Sequence, residues 1–459
     1  MKMNKLLVAL PLTLSLLVPT AALADSHGGH SEKGGHSQNE SSMEAGTATP
    51  AAELRIALDT VLTEHAFLAV EAMRKGVDGA EDFDQASGAL LANADDLKAA
   101  VASVYGEEGA AQFDEIWKSH IGYFVDYVTA TAEDNQEGKD KALADLDEYK
   151  KTQAEFFDAA TEGRLPAAAV EEGLDMHVDQ LVEAFDAYVA GDFEKAYSLE
   201  RESIHHMSMF AETLSIAITD QFADKFENTN PDTPAIDLRA QLNATFTEHA
   251  GLAAMAMQDG ADGAESFEAA SGALLANADD LSAAVASVYG EEAGAQFDEI
   301  WKSHIGYFVD YVVATGEGNA EGQEQAKAEL DEYIVEQAAL LDAATEGRVP
   351  ADALEEGLTA HVGQLLKAFD SYVAGDYETA YSSIREAYAH MTMPAAGLSE
   401  AIVDQFPEKF SAAEMPSEMP KTGMGGMADS STTPFMWILA GLMLAGLTTT
   451  LALRVRRQS

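Results

Sequence analysis

A single spacing, 184 residues, constrains the fold of this chain more than any other feature. The stretch from Phe113 to Tyr127 returns unchanged as Phe297 to Tyr311, and Leu90 to Leu97 returns as Leu274 to Leu281, with no insertion or deletion between them. An ungapped duplication of this length means two copies of one fold. Asn228 to Pro234, rich in turn-forming residues, separates the copies. Within each copy apolar residues recur at three- and four-residue spacing among many Ala, Leu, Glu and Gln, and no alternating pattern of strands interrupts them. The expected fold class is therefore all-α: two tandem antiparallel helical-bundle domains of about six helices each.

Prolines and glycines set the expected helix limits. Thr49-Pro50 opens a first helix that ends near Gly76, and a second ends near Gly106. A third carries Trp117 and His120, a fourth stops at Gly163, and Pro166 opens a fifth. Gly191-Asp192 joins a helix stop to an N-cap, and the sixth helix runs through His206 toward Phe222.

Charge and cysteine content narrow the chemistry. The chain carries 79 Asp plus Glu against 27 Lys plus Arg, a formal net charge of -52, so nucleic acid is repelled and is excluded as a partner. There is no cysteine, which removes disulfides, thiolate zinc sites, iron–sulfur clusters and thiol nucleophiles. Any metal must be held by His, Met, carboxylate or backbone groups.

The two ends read as export and anchoring signals. Lys2 and Lys5 precede an apolar run from Leu6 to Val18, and Ala22-Leu23-Ala24 places small residues where a signal peptidase reads. Cleavage between Ala24 and Asp25 is expected. Pro434 to Leu453 is uncharged, long enough to cross a bilayer, and followed by Arg454, Arg456 and Arg457. Just upstream stands Met419-Pro420-Lys421-Thr422-Gly423. Motif, span and arginines together resemble the sorting signal of sortase-anchored Gram-positive surface proteins, Leu-Pro-x-Thr-Gly, with Met419 in the place of Leu. The resemblance implies cleavage after Thr422 and covalent attachment to peptidoglycan, the sortase and the cell wall being partners and the membrane only a stage before sorting. The resulting division is a signal peptide at 1–24, a His/Gly/Ser-rich segment at 25–49, repeat 1 at 50–227 and a linker at 228–234. Repeat 2 follows at 235–412, then a linker with the sorting motif at 413–433, a transmembrane helix at 434–453 and a basic cytoplasmic tail at 454–459.

Of the 12 histidines, eight form pairs across the repeat: His65 with His249, His120 with His304, His177 with His361, and His206 with His390. Around His177/His361 and His206/His390 the neighbouring residues diverged while the histidine stayed. Each lies on the apolar stripe of its helix; His65 aligns with Leu58, Val61 and Leu68, and His120 with Phe113, Trp117 and Phe124. Four inward imidazoles on four helices can converge on one metal ion in a bundle core. Met209 and Met393 lie within a turn of the last pair, as do Glu202 and Glu386 as outer supports. Imidazole with thioether suits copper, and imidazole with carboxylate suits zinc or iron. Haem held by a histidine pair also stays open. So does the plainer reading, in which each histidine is a hydrogen-bonded core residue and the chain is a structural or adhesive spacer.

Cleavage after Ala24 would also expose Asp25-Ser26-His27, whose terminal amine, two amides and His27 imidazole form a square-planar set for Cu(II) or Ni(II). A di-iron carboxylate bundle fits poorly, because Glu202-x-x-His205 occurs once and its copy has Ala389 in place of the histidine.

Ile116 to Tyr127, Gly191 to Tyr197 and His206-Met207 resemble a helical module of Gram-positive surface proteins, some of which carry a copper-amine-oxidase-type label. That enzyme class builds its quinone from a Tyr following Asn and binds copper with His-x-His. None of the 14 tyrosines follows Asn, and no His-x-His occurs, so the amine oxidase activity is not expected. Zinc-protease, phosphate-loop and serine-hydrolase motifs are also missing. The expected function is metal binding at the cell surface, copper first, without catalysis; an oxidoreductase using the same metal is the remote alternative.

Overall fold

The computed structural model describes residues 46–410. Ala24, Asp25, His27, the motif Met419 to Gly423 and the expected span at 434–453 lie outside the described residues. Among the described residues no strand occurs, and no helix is long and apolar enough to cross a membrane.

Repeat 1 consists of α1 (Pro50–Val77), α2 (Phe83–Ala132), α3 (Gln136–Ala160), α4 (Ala167–Val189) and α5 (Phe193–Gln221). Repeat 2 consists of α6 (Pro234–Asp262), α7 (Phe267–Tyr289), α8 (Glu291–Gly316), α9 (Ala320–Ala344), α10 (Ala351–Val373), α11 (Tyr377–His390) and α12 (Thr392–Gln405). The starts follow local chemistry. Thr49 caps α1 by accepting from the Ala52 amide ahead of Pro50, and Thr233 caps α6 in the same way from Ile236 ahead of Pro234. Asp192 and Asp376 cap α5 and α11.

The expected break near Gly106 is present. Gly106 (φ 80°) kinks α2 into two helical arms, and its counterpart Gly290 (φ 94°) separates α7 from α8. Both sit at positive φ, where a Cβ would be strained. The repeats differ at their last helix. Pro394 stands where repeat 1 has Phe210; it has no N–H for the His390 carbonyl, and its ring crowds that turn. The chain accordingly breaks at Met391 between α11 and α12, whereas α5 runs on unbroken.

The two repeats pack directly against each other. The main hydrophobic core takes in residues of both repeats, with the first helix of each at its centre, and a smaller cluster gathers Ala235, Leu238, Ile402, Val403 and Phe410. In α1, 22 of 28 residues are buried and only Glu53 is exposed, so the helix has almost no solvent face. Several of its charged residues are accordingly partnered by the other repeat as well as by their own. Arg385 of α11 reaches Glu64 of α1 (3.0 and 2.8 Å) and Asp96 (2.7 Å); the equivalent Arg201 of α5 reaches Glu248 of α6 (3.0 and 3.2 Å) and Asp280 (2.6 Å). These mirrored ion pairs mark a pseudo-twofold relation between the copies.

Elsewhere the interface is asymmetric. The ring of Phe67 stacks on Tyr388 of repeat 2 (5.7 Å, 14°). The residue equivalent to Phe67 is Gly251, and a Cβ there would lie 3.0 Å from the Phe67 ring. At one end Arg74 bonds Asp259 (2.8 Å) and the Tyr197 hydroxyl, while Lys75 pairs with Asp82 (3.2 Å) and Tyr381 donates to Glu71 and Asp82 (2.9 and 2.8 Å). All these groups are buried.

Candidate metal centre

Four helices deliver the predicted histidines into each core. In repeat 1, His65 comes from the middle of α1, His120 from the second arm of α2, His177 from α4 and His206 from α5. His65 and His120 are each 1 % exposed and His177 2 %. His65 Nε2 and His120 Nε2 are 3.3 Å apart, and the His177 ring centroid lies 5.9 Å from that of His65. Repeat 2 repeats this geometry, with His249 Nε2 and His304 Nε2 3.3 Å apart and the His361 centroid 5.8 Å from His249. In repeat 2, ring nitrogens of His249, His304 and His361 all fall within 4.8 Å of one another.

Within each triad the two close Nε2 atoms are also within hydrogen-bond distance of each other, while other ring nitrogens lack a partner. His177 and His361 have no partner at either ring nitrogen, and His65 Nδ1 has none. A buried polar atom without a partner costs about 1–3 kcal/mol, so several together at one place are a deficit that a ligand would remove. Burial is the main force on the imidazoles. It holds His65 and His177 well below the ordinary histidine range and takes His120 and His304 down to about 3, with a neighbouring imidazole adding to the effect in each case. A backbone interaction with Trp117, or Trp301 in repeat 2, opposes it weakly. At neutral pH the imidazoles are uncharged, the state in which histidine ligates metal.

The fourth predicted histidine plays another part. His206 Nε2 donates to the Gly173 carbonyl (2.9 Å), and His390 Nε2 to Gly357 (3.0 Å). The His206 ring stacks against His177 at 6.4 Å from outside the triad. Such a bond orients an imidazole and leaves ligation to Nδ1, but in repeat 2 the ring nitrogens within 4.8 Å of one another are those of His249, His304 and His361, which leaves His390, the counterpart of His206, outside the group.

The expected sulfur and carboxylate groups stand apart. Met209 and Met393 are 51 % and 66 % exposed, on the solvent side of their helices. Glu202 is also exposed, and Glu386 faces Lys367 (3.7 Å). Proximity in sequence put these residues near His206 and His390, but helical phase turns them outward.

Other residues of the site were not singled out from sequence. Tyr149 of α3 stacks on His120 at 4.5 Å and 23°, as Tyr333 does on His304 at 4.4 Å and 18°. Trp117 lies 4.8 Å from both His65 and His120. One turn beyond Tyr149, Gln153 is fully buried with neither amide atom bonded, and Gln337 repeats this. A signal for them was present: Tyr149 and Gln153 recur at 333 and 337, polar residues inside an apolar stripe.

No family model, curated protein or solved structure matches this chain. The functional reading therefore stands on the geometry of the site and on the chemistry of its residues.

Proposed function

We propose that this chain is a surface-displayed protein that binds one transition-metal ion in each repeat, through His65, His120 and His177 and through His249, His304 and His361. The observation that carries the reading is the 3.3 Å separation of the paired Nε2 atoms in both copies. Two imidazole nitrogens about 2.0–2.1 Å from one tetrahedral ion lie roughly 3.3–3.4 Å apart. The unpartnered nitrogens of His177 and His361 supply a third donor.

Three neutral imidazoles suit copper or zinc. Copper, as Cu(I), is the favoured ion, because no carboxylate joins the triad to offset a second positive charge and the cost of burying charge rises steeply with its magnitude. The -52 net charge would concentrate cations around the molecule. Met419 to Gly423 and the apolar stretch after it support anchoring at a cell wall, in keeping with a role in scavenging or buffering metal outside the membrane.

Metal analysis of the purified full-length chain tests the proposal. The expected result is two equivalents of copper or zinc, one equivalent after His120→Ala, and none after His120→Ala with His304→Ala. A chain that stays metal-free on exposure to both ions would overturn the reading and leave the spacer role.

A further inference from the structure

Two histidines of each triad also line a narrow cleft. In repeat 1 Trp117 packs against His65 and His120, Tyr149 covers the face of His120, and His177 stands beside His65. On another side His65 and His120 line the cleft together with Phe83, Leu90 and Val128. Val125, 38 % exposed, lies at its outer end. Repeat 2 has the same cleft, from Val309 past Phe267 and Leu274 to His249 and His304.

The walls decide what such a cleft admits. Apart from the histidines it is lined by apolar side chains in repeat 1, and repeat 2 adds only Ser271. No charged group meets an incoming anion or hydrated ion, which would lose its hydration shell without compensation. The free space is that of about one or two water molecules. Three protein ligands leave an ion with a vacant position.

We infer that the metal in each repeat takes an uncharged diatomic molecule at its open position, admitted through this apolar cleft; the inference rests on the metal reading above. Binding of carbon monoxide to Cu(I) is the simplest instance. The carbon lone pair is donated into the vacant position, one metal–carbon bond forms, none breaks, and no electron changes its formal owner.

The test uses the full chain loaded with Cu(I) in the absence of oxygen and exposed to carbon monoxide, read by the infrared C–O stretch and by the ratio of carbon monoxide to copper. About one carbon monoxide per copper is expected. Val125→Trp with Val309→Trp is expected to slow association by roughly tenfold or more at unchanged copper content. Val125→Ala with Val309→Ala, which opens the mouth with little demand on the core, is expected to speed it. Retained copper that binds no carbon monoxide, or equal association rates in all three proteins, would overturn the inference and leave metal binding intact. Failure to retain copper would overturn the metal reading and this inference together.

Discussion

The two repeats share the residues and the main distances of their histidine triads and are conspicuously different where they touch each other. The imidazoles, Trp117/Trp301, Tyr149/Tyr333 and Gln153/Gln337 recur one for one, with the same distances. At the shared core the matched positions are unlike: Phe67 and Gly251, Glu71 and Met255, Arg74 and Gln258, Lys75 and Asp259, Glu200 and Ile384. Duplication explains the first set. The second shows that each copy has become a partner for the other: bulk faces a gap at Phe67 and Gly251, and a cation faces an anion at Arg74 and Asp259. The site belongs to the repeat, whereas the interface belongs to the pair.

Several substitutions probe that contrast. The largest effect is expected for Arg74→Met, which leaves Asp259 and Glu71 buried without their cation, at a cost of about 3–5 kcal/mol. The matched change Gln258→Met preserves volume and is expected to cost less than about 1.5 kcal/mol. Urea unfolding of both variants reads the difference, and equal losses would mean that the charged cluster does not hold the repeats together. Next comes Gly251→Leu, which drives a side chain into the Phe67 ring at about 1–3 kcal/mol. Adding Phe67→Ala should recover part of this, and a double-mutant cycle with no coupling would refute the packing argument.

Glu200→Ile, which copies repeat 2, should act in the opposite direction. Burial, opposed by Arg74, raises the Glu200 carboxyl to about 8, and neither oxygen has a hydrogen-bond partner. The unfolded chain ionises above about 4.5 while the folded chain keeps its proton, so the native acid lowers stability increasingly as pH rises from there to about 8. The substitution should therefore stabilise by roughly 1–3 kcal/mol near pH 8 and by less near pH 5. A gain that does not change with pH would show that Glu200 is not held as a neutral acid. The smallest effect is expected for Pro394→Ala, which restores the N–H missing between α11 and α12. A rise in helical circular dichroism with a stability change below about 1 kcal/mol is expected at this helix end; a loss of several kcal/mol would show that the break itself is required.

Helix limits were legible because they depend on local chemistry. Thr49-Pro50, Gly106, Gly163 and Asp192 act on the turn they occupy, and the structure places a cap, kink or stop at each. The histidines were legible by helical phase, which says that a side chain faces inward but not which nitrogen it presents or to what. That is why His206 was counted with the triad although its Nε2 is held by a carbonyl of the preceding helix, α4. Met209 was misplaced for the related reason that closeness along the chain differs from a shared helix face.

Sequence alone determined that the chain is a duplicated all-helical protein and that each copy buries the same histidines, since repeat, periodicity and capping are all written in local order. Tertiary structure decided the rest. Only long-range packing could put α1 and α6 at a common centre, because charged residues such as Glu64 and Arg74 of α1 and Glu248 of α6 read as surface until the other repeat supplies Arg385, Asp259 and Arg201. Only the three-dimensional approach of α1 to α2 could set two Nε2 atoms 3.3 Å apart, at the distance a shared metal ion requires.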